Sequence, residues 1–360
     1  MPRRNVLLIC LLLLGCNRKS SDVPRAEKQP SSWQNAATNQ TQAAQVWTNH
    51  HAYVSINSSL ANTTPTNQLT KELTLGATNE AQTAITSPKT EPRKDFSTFP
   101  GHDLYLEART ILKRKSSDAD LARAIDLLKQ AAEKGNPPAQ HALAVGYLEG
   151  LGMSKDSAKG VEWLMRSATN GYPEAEFKLA SLYARGIGVE QNLTVAADWA
   201  RKAAEAGNPE AQYNLATLYA AGLGVPRDAT NAAIWFKKAA ENGHPTAQSN
   251  LGVLYANGKI FPENFDEALK WWRKAAEQGQ PSAQFNLAQA LQEGKKAPLD
   301  LVEAYKWASL AAEYGDADAA EARDSIALRM RPEEIAEGLK RAREFKTALA
   351  ARENERLMRD

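Results

Sequence analysis

Six glycines, Gly135, Gly171, Gly207, Gly243, Gly279 and Gly315, recur every 36 residues without a slip. A fixed period of this length restricts the chain to a repeat architecture, in which each unit buries its apolar face only by stacking on its neighbours. Other positions keep the same register. Two residues after each Gly stand Pro137, Pro173, Pro209, Pro245 and Pro281, with Ala317 breaking the series. Four after come Ala139, Ala175, Ala211, Ala247, Ala283 and Ala319. Eight after come Leu143, Leu179, Leu215, Leu251 and Leu287, and twelve after come Tyr147, Tyr183, Tyr219 and Tyr255, replaced by Leu291.

Each spacing has a physical cause. Gly past a helix end takes the left-handed conformation, and Pro starts the next helix because its missing N–H costs nothing in a first turn. Ala, Leu and Tyr at four-residue steps then form one apolar stripe on the first helix of each unit. That helix ends at Gly150, Gly186, Gly222, Gly258 and Gly294. The second helix opens at Asp120, Asp156, Asn192, Asp228, Asn264 and Asp300, all favoured N-cap types. Glu267 and Glu303, three residues beyond two of these caps, predict capping boxes. Trp163, Trp199, Trp235, Trp271 and Trp307 stand mid-helix, with Leu127 in that slot of the first unit. The helix closes on paired alanines such as Ala203-Ala204 and Ala239-Ala240, which allow close helix approach; Ser167-Ala168 is the variant. The regular place of the Trp column makes it packing core rather than a stacking platform for ligands.

At these positions the sequence resembles the Sel-1-like repeat family, a branch of the tetratricopeptide-type α-solenoids. The likeness is carried by Ala211-Gln212-Tyr213-Asn214-Leu215, Tyr219, Gly222-Leu223-Gly224-Val225, Asp228 and Trp235-Phe236-Lys237-Lys238-Ala239-Ala240-Glu241-Asn242-Gly243. It implies an all-α fold, a right-handed solenoid of helix-turn-helix units. Five units are clear between Pro137 and Gly315. A degenerate one precedes them, with Leu104 to Leu112 and Asp120 to Lys134 as its helices, giving six repeats over 99–315. Residues 316–360 supply a closing pair, Ala319 to Met330 and Pro332 to about Arg356. Lys259-Ile260 and Lys295-Lys296 depart from the interhelix turn, and Gly160 replaces the Ala found at Ala196 and Ala232.

The first hundred residues are of another kind. Arg3 and Arg4 precede a nine-residue apolar run, Val6 to Leu14, which spans about 14 Å as a helix, half of a bilayer core. The run fits a signal peptide over residues 1–16. Leu13-Leu14-Gly15-Cys16 resembles the lipobox of bacterial lipoproteins, which implies lipidation at Cys16 and an anchor in the cell envelope. Asn17 after that cysteine favours the outer over the inner membrane by the same resemblance. Residues 17–98, rich in Ser, Thr, Asn and Gln, cannot bury enough apolar surface to offset ordering, and read as a disordered tether. As a coil it would reach on the order of 50 Å. Trp33 and Trp47 in it are chance apolar residues or a short docking motif.

Chemistry is sparse. Net charge is +2 with both signs interspersed, which disfavours a nucleic-acid surface. Cys10 and Cys16 are the only cysteines, so the repeats hold no disulfide, zinc cluster or cysteine nucleophile. His50, His51, His102, His141 and His244 lack metal-ligand spacing. Gly186-Ile187-Gly188 and Gly222-Leu223-Gly224 fall where αα-turns belong and follow no strand, which argues against phosphate loops. No Ser/His/Asp constellation emerges, and neither a cofactor nor a metal is expected.

The expected function is therefore binding by a non-enzymatic, envelope-anchored scaffold. In such solenoids the first helices line the concave face. Helical geometry aims the residues three, seven, ten and fourteen after each Gly into it. The candidates for a protein or peptide partner are Lys178, Arg185, Asn214, Thr217, Asn250, Asn257, Asn286 and Gln289, beside Glu174, Ser181, Glu210, Thr246, Val253, Ser282 and Glu293. The column Asn214, Asn250 and Asn286 admits two readings. Its carboxamides hydrogen-bond an extended peptide backbone, or they bond their own neighbours. A rival function is a secreted peptidoglycan- or β-lactam-binding or hydrolysing repeat protein; relatives of that kind carry regularly spaced cysteines, which this chain lacks.

Overall fold

The local signals translate directly into helices. The computed structural model describes residues 94–114, 117–294 and 296–359, and among them fourteen helices and no strand. Seven belong to a unit running to Arg227: α1 His102–Lys113, α2 Asp118–Glu133, α3 Pro137–Glu149, α4 Ser157–Thr169, α5 Pro173–Arg185, α6 Leu193–Glu205 and α7 Pro209–Ala221. The unit from Asp228 holds α8 Ala229–Glu241, α9 Pro245–Asn257, α10 Phe265–Glu277, α11 Pro281–Glu293, α12 Leu301–Ala312, α13 Ala317–Ala327 and α14 Pro332–Arg359. Within each unit the helices up to α13 pack each on the next in chain order, which is the α-solenoid arrangement, and α14 packs on α12. No described helix is long and apolar enough to cross a membrane. Cys16, Trp33, Trp47 and residues 17–93 lie outside the described residues.

Pro occupies the first turn of α3, α5, α7, α9 and α11, and the six periodic glycines have φ between 76° and 92°. Asp156, Asn192, Asp228, Asn264 and Asp300 each accept the backbone N–H three residues on, at 2.9–3.1 Å. Two cap expectations are corrected. The helix α2 starts earlier than Asp120: Ser117 is the cap, and Asp120 closes a reciprocal capping box with it. Glu267 and Glu303 do not form capping boxes but turn to Lys270 and Lys306 at 3.0 and 2.8 Å. The reason is that the cap N–H groups already have acceptors. Asn264 N–H donates to Tyr255 O at 3.0 Å and Asp300 N–H to Leu291 O at 3.2 Å, tying the second helix of a repeat to the end of the first.

The apolar stripe forms the core. Leu143, Leu179, Leu215, Leu251 and Leu287 are all fully buried, with the paired alanines around them. The Trp column packs at the outer margin of this core under a cation. Arg166, Lys202, Lys238 and Lys274, three residues after their Trp, lie 3.9–4.5 Å from the ring centroids. The sequence variants have local causes. A Cβ at Gly160 would stand 2.6 Å from Leu148 Cγ, where the other repeats carry Ala184, Ala220 and Ala256. Ser167, the exception among the alanine pairs, donates to Pro137 O at 2.8 Å. Phe261 stacks on Tyr255 at 5.3 Å and fills the turn altered by Lys259-Ile260. At the C-terminal end, α14 packs on α12 through Trp307 and Phe345, 5.2 Å apart and edge to face.

Candidate functional site: the face of the first helices

The first helices α3, α5, α7, α9 and α11 turn two columns of carboxamides in different directions. Five residues after the periodic glycine stand Gln140, Gln212, Gln248 and Gln284, all buried. Each donates from Nε2 to a backbone carbonyl eight residues earlier, at the end of the preceding helix: Ala132, Ala204, Ala240 and Ala276, at 3.0–3.3 Å. These amides are structural staples across the seam between repeats. The sequence contained this column, but its partner becomes visible only once the seam is folded.

Seven residues after the glycine, Asn214, Asn250 and Asn286 behave otherwise. None of the three carboxamides makes a hydrogen bond within the protein among the described residues. Asn250 and Asn286 are half-buried on α9 and α11, with Asn257 and Gln289 exposed further along the same helices. Asn214 and Thr217 on α7 are 8% and 3% exposed, so this pair does not present the open surface that register alone predicts. Thr217 Oγ1 donates to Tyr213 O at 3.0 Å, the usual fate of a hydroxyl turned back on its own helix. On α5, Arg185 is exposed and Lys178 is half-buried, its Nζ 4.0 Å from Glu149 Oε1 on α3. Burial pulls the Lys178 ammonium below its ordinary range, with Arg185 adding to the effect. Ser249 and Ser282 share a hydrogen bond at 2.9 Å, linking α9 to α11.

Two histidines of the repeats have structural places. His244 caps α9, its Nδ1 accepting Ala247 N–H at 3.1 Å. His141 is buried on α3, and burial together with Lys178 pushes its pKa down to about 3, so the ring is neutral. No group of three or more His, Cys, Asp or Glu side chains that could hold a metal stands among the described residues.

The profile of the Sel1 repeat matches residues 114–136, 137–172, 173–208, 209–244, 245–280 and 281–316. The chain belongs to the Sel1 repeat family. The first match, 114–136, is shorter than the other five. Proteins built from Sel1 repeats usually act as non-catalytic scaffolds for protein–protein interaction. Among solved structures, this Sel1 repeat protein is similar to c5321, a protective antigen of uropathogenic Escherichia coli strains displaying an SLR fold. The two share 30% identity and superpose with a TM-score of 0.58 over 71% of this chain and 54% of that one. A Sel1 repeat protein from Oxalobacter formigenes gives 31% identity and a TM-score of 0.56, over 63% of this chain and 65% of the other. The chain thus spans under two thirds of the length of either relative. No curated protein matches the sequence.

Proposed function

We propose that this Sel1 repeat protein is a non-enzymatic scaffold, anchored in the bacterial cell envelope through Cys16, that captures a protein or peptide on the face of its first helices. The observation that carries this reading is the Asn column. Its carboxamides, one repeat apart in register, have no hydrogen-bond partner among the described residues. The Gln column two residues earlier is consumed by the fold. A half-buried carboxamide with unused donor and acceptor is suited to a peptide backbone, which offers both at regular spacing. In the unit from Asp228, Asn250 and Asn286 are the principal contacts, with Asn257 and Gln289 as flanking ones; in the unit ending at Arg227, Lys178, Arg185, Asn214 and Thr217 hold the matching register positions. The lipobox-like Leu13-Leu14-Gly15-Cys16 supports the anchor, and Asn17 favours the outer membrane.

A photo-crosslinking amino acid at Asn250 or Asn286 of the full chain, in native membranes, should give a discrete protein adduct. The same label at Glu241 on α8 should not. Asn250→Ala with Asn286→Ala should lower partner affinity roughly 30-fold, the loss expected for two hydrogen-bonding groups of about 1 kcal/mol each. An adduct of equal yield from Glu241, or an affinity unchanged in the double variant, would remove the face. Recovery of the Cys16→Ser chain in the membrane fraction would remove the anchor.

A further inference from the structure

The second full repeat departs from its siblings at one end, and an early segment of the chain sits on that departure. The residue after the periodic glycine is the N-cap of each first helix. Asn136 and Asn208 fill it with a carboxamide oxygen that accepts Ala139 N–H and Ala211 N–H at 3.1 and 2.9 Å. In α5 the slot holds Tyr172, which makes no capping bond. Its ring meets two others instead: His141 at 5.4 Å, and the edge of Phe96 at 5.1 Å with an interplanar angle of 83°. Phe96 lies in a turn, residues 94–99, that precedes α1. Phe99 is 5.8 Å from it, and Asp95 accepts Ser97 N–H at 2.9 Å to close the turn. Lys94 Nζ donates to Asn170 O at 2.8 Å. That carbonyl belongs to the C-cap of α4, where the helix dipole favours a cation. The turn thus brings a cation and an aromatic, two residues apart, to a carbonyl and an aromatic box.

We infer that residues 94–99 are an internal occupant of a peptide site, and that the surface formed by Asn170 O, Tyr172 and His141 accepts a partner's turn carrying Lys or Arg two residues before an aromatic. The inference rests on the peptide-scaffold reading but concerns a different place, at the start of α5 rather than along α9 and α11. The occupant is argued by the seated segment itself. Tyr172 gives up a helix cap that Asn136, Asn208 and His244 keep and, unlike the equally uncapped Gln280, gains the rings it stacks on. His141 is neutral and its ring is free to pack. Residues 94–99 stay tethered to α1, so they compete with a partner at high effective concentration.

The test uses the full chain and a fluorescent peptide of residues 93–101. Lys94→Ala with Phe96→Ala empties the site, and this variant should bind the peptide at least tenfold more tightly than the wild type. Adding Tyr172→Asn, which restores the sibling cap, should abolish that binding while leaving helix content by circular dichroism unchanged. In the wild type, saturating peptide should speed hydrogen exchange at the Ser97 and Phe99 amides. Absence of binding by a folded Lys94→Ala/Phe96→Ala variant, or equal binding with Asn at 172, overturns the inference. Asn250→Ala with Asn286→Ala should leave peptide binding unchanged. Failure here therefore leaves the Asn column standing, and failure of the column leaves this site standing.

Discussion

At the scale of single residues the sharpest contrast is Glu176. It stands in the slot that Gln140, Gln212, Gln248 and Gln284 use to staple repeats together, and a carboxylate has no proton to donate there. Its Oε2 is buried without a partner. Burial raises its pKa from about 4.5 to about 7, with Glu174 and Glu205 pushing the same way and Lys202 opposing. The folded value lies above the unfolded one, so the folded state holds the proton more tightly. The contribution of Glu176 to stability should fall as pH rises from about 4.5 to about 7 and level off above, by at most about 3 kcal/mol. The capping carboxylates Asp120, Asp156 and Asp228 have lowered pKa values through backbone N–H bonds, and lose their contribution only below their ordinary range, a separate window. Buried His141, whose pKa is pushed the other way, gains stability over the same window, so the test is the difference between two proteins that share it. In urea unfolding, Glu176→Gln should gain stability relative to the wild type between pH 5 and pH 8. A difference between the two proteins that does not change with pH would exclude Glu176 as a titrating group. None of this could be read from the sequence, where Glu at that position looks like another solvated helix charge.

Among the helices, periodicity alone anticipated the starts of α3 through α12 because Gly, Pro and the cap residues act locally, within one turn. The failures were those involving partners far along the chain. The capping boxes at Glu267 and Glu303 were lost because the cap N–H groups bond carbonyls nine residues earlier. The exposure of Asn214 and Thr217 was misjudged because helical register gives direction but not what lies opposite. Helix-to-helix fit also set paired variants that a single column hides. Gly252 on α9 replaces the Ala of its siblings, and a Cβ there would fall 2.4 Å from Trp272 Nε1, which donates to Ser249 O at 3.2 Å. Gly252→Ala should cost about 1–3 kcal/mol by overpacking. Combined with Trp272→Phe, the residue type found one repeat earlier at Phe236, it should cost clearly less than the sum of the two changes. A double-mutant cycle by thermal or chemical unfolding measures this, and strict additivity would show that the two side chains do not compete for the space.

For the molecule as a whole, repeats that touch only their neighbours make stability a chain of local terms. Leu179→Ala on α5 should cost about 2–5 kcal/mol, as other buried Leu truncations do. Its loss of hydrogen-exchange protection should concentrate in α3 to α6 and spare α11 to α13; a uniform loss along all helices would mean one cooperative block instead. The repeat count and the solenoid class were legible in the sequence because a period repeats its own signal. The site was legible only as a face, since what distinguishes Asn250 from Gln248 is whether the fold itself consumes the amide. That staple has a consequence for how such a protein can change over generations. Because the Gln in four of the five units reaches the end of the unit before it, the joint is carried inside the 36-residue module, and a copied or deleted module of this kind brings a working joint with it. The array can thus grow or shrink by whole modules, except at the module bearing Tyr172 and Glu176, whose place in the order is fixed by the segment that leans on it.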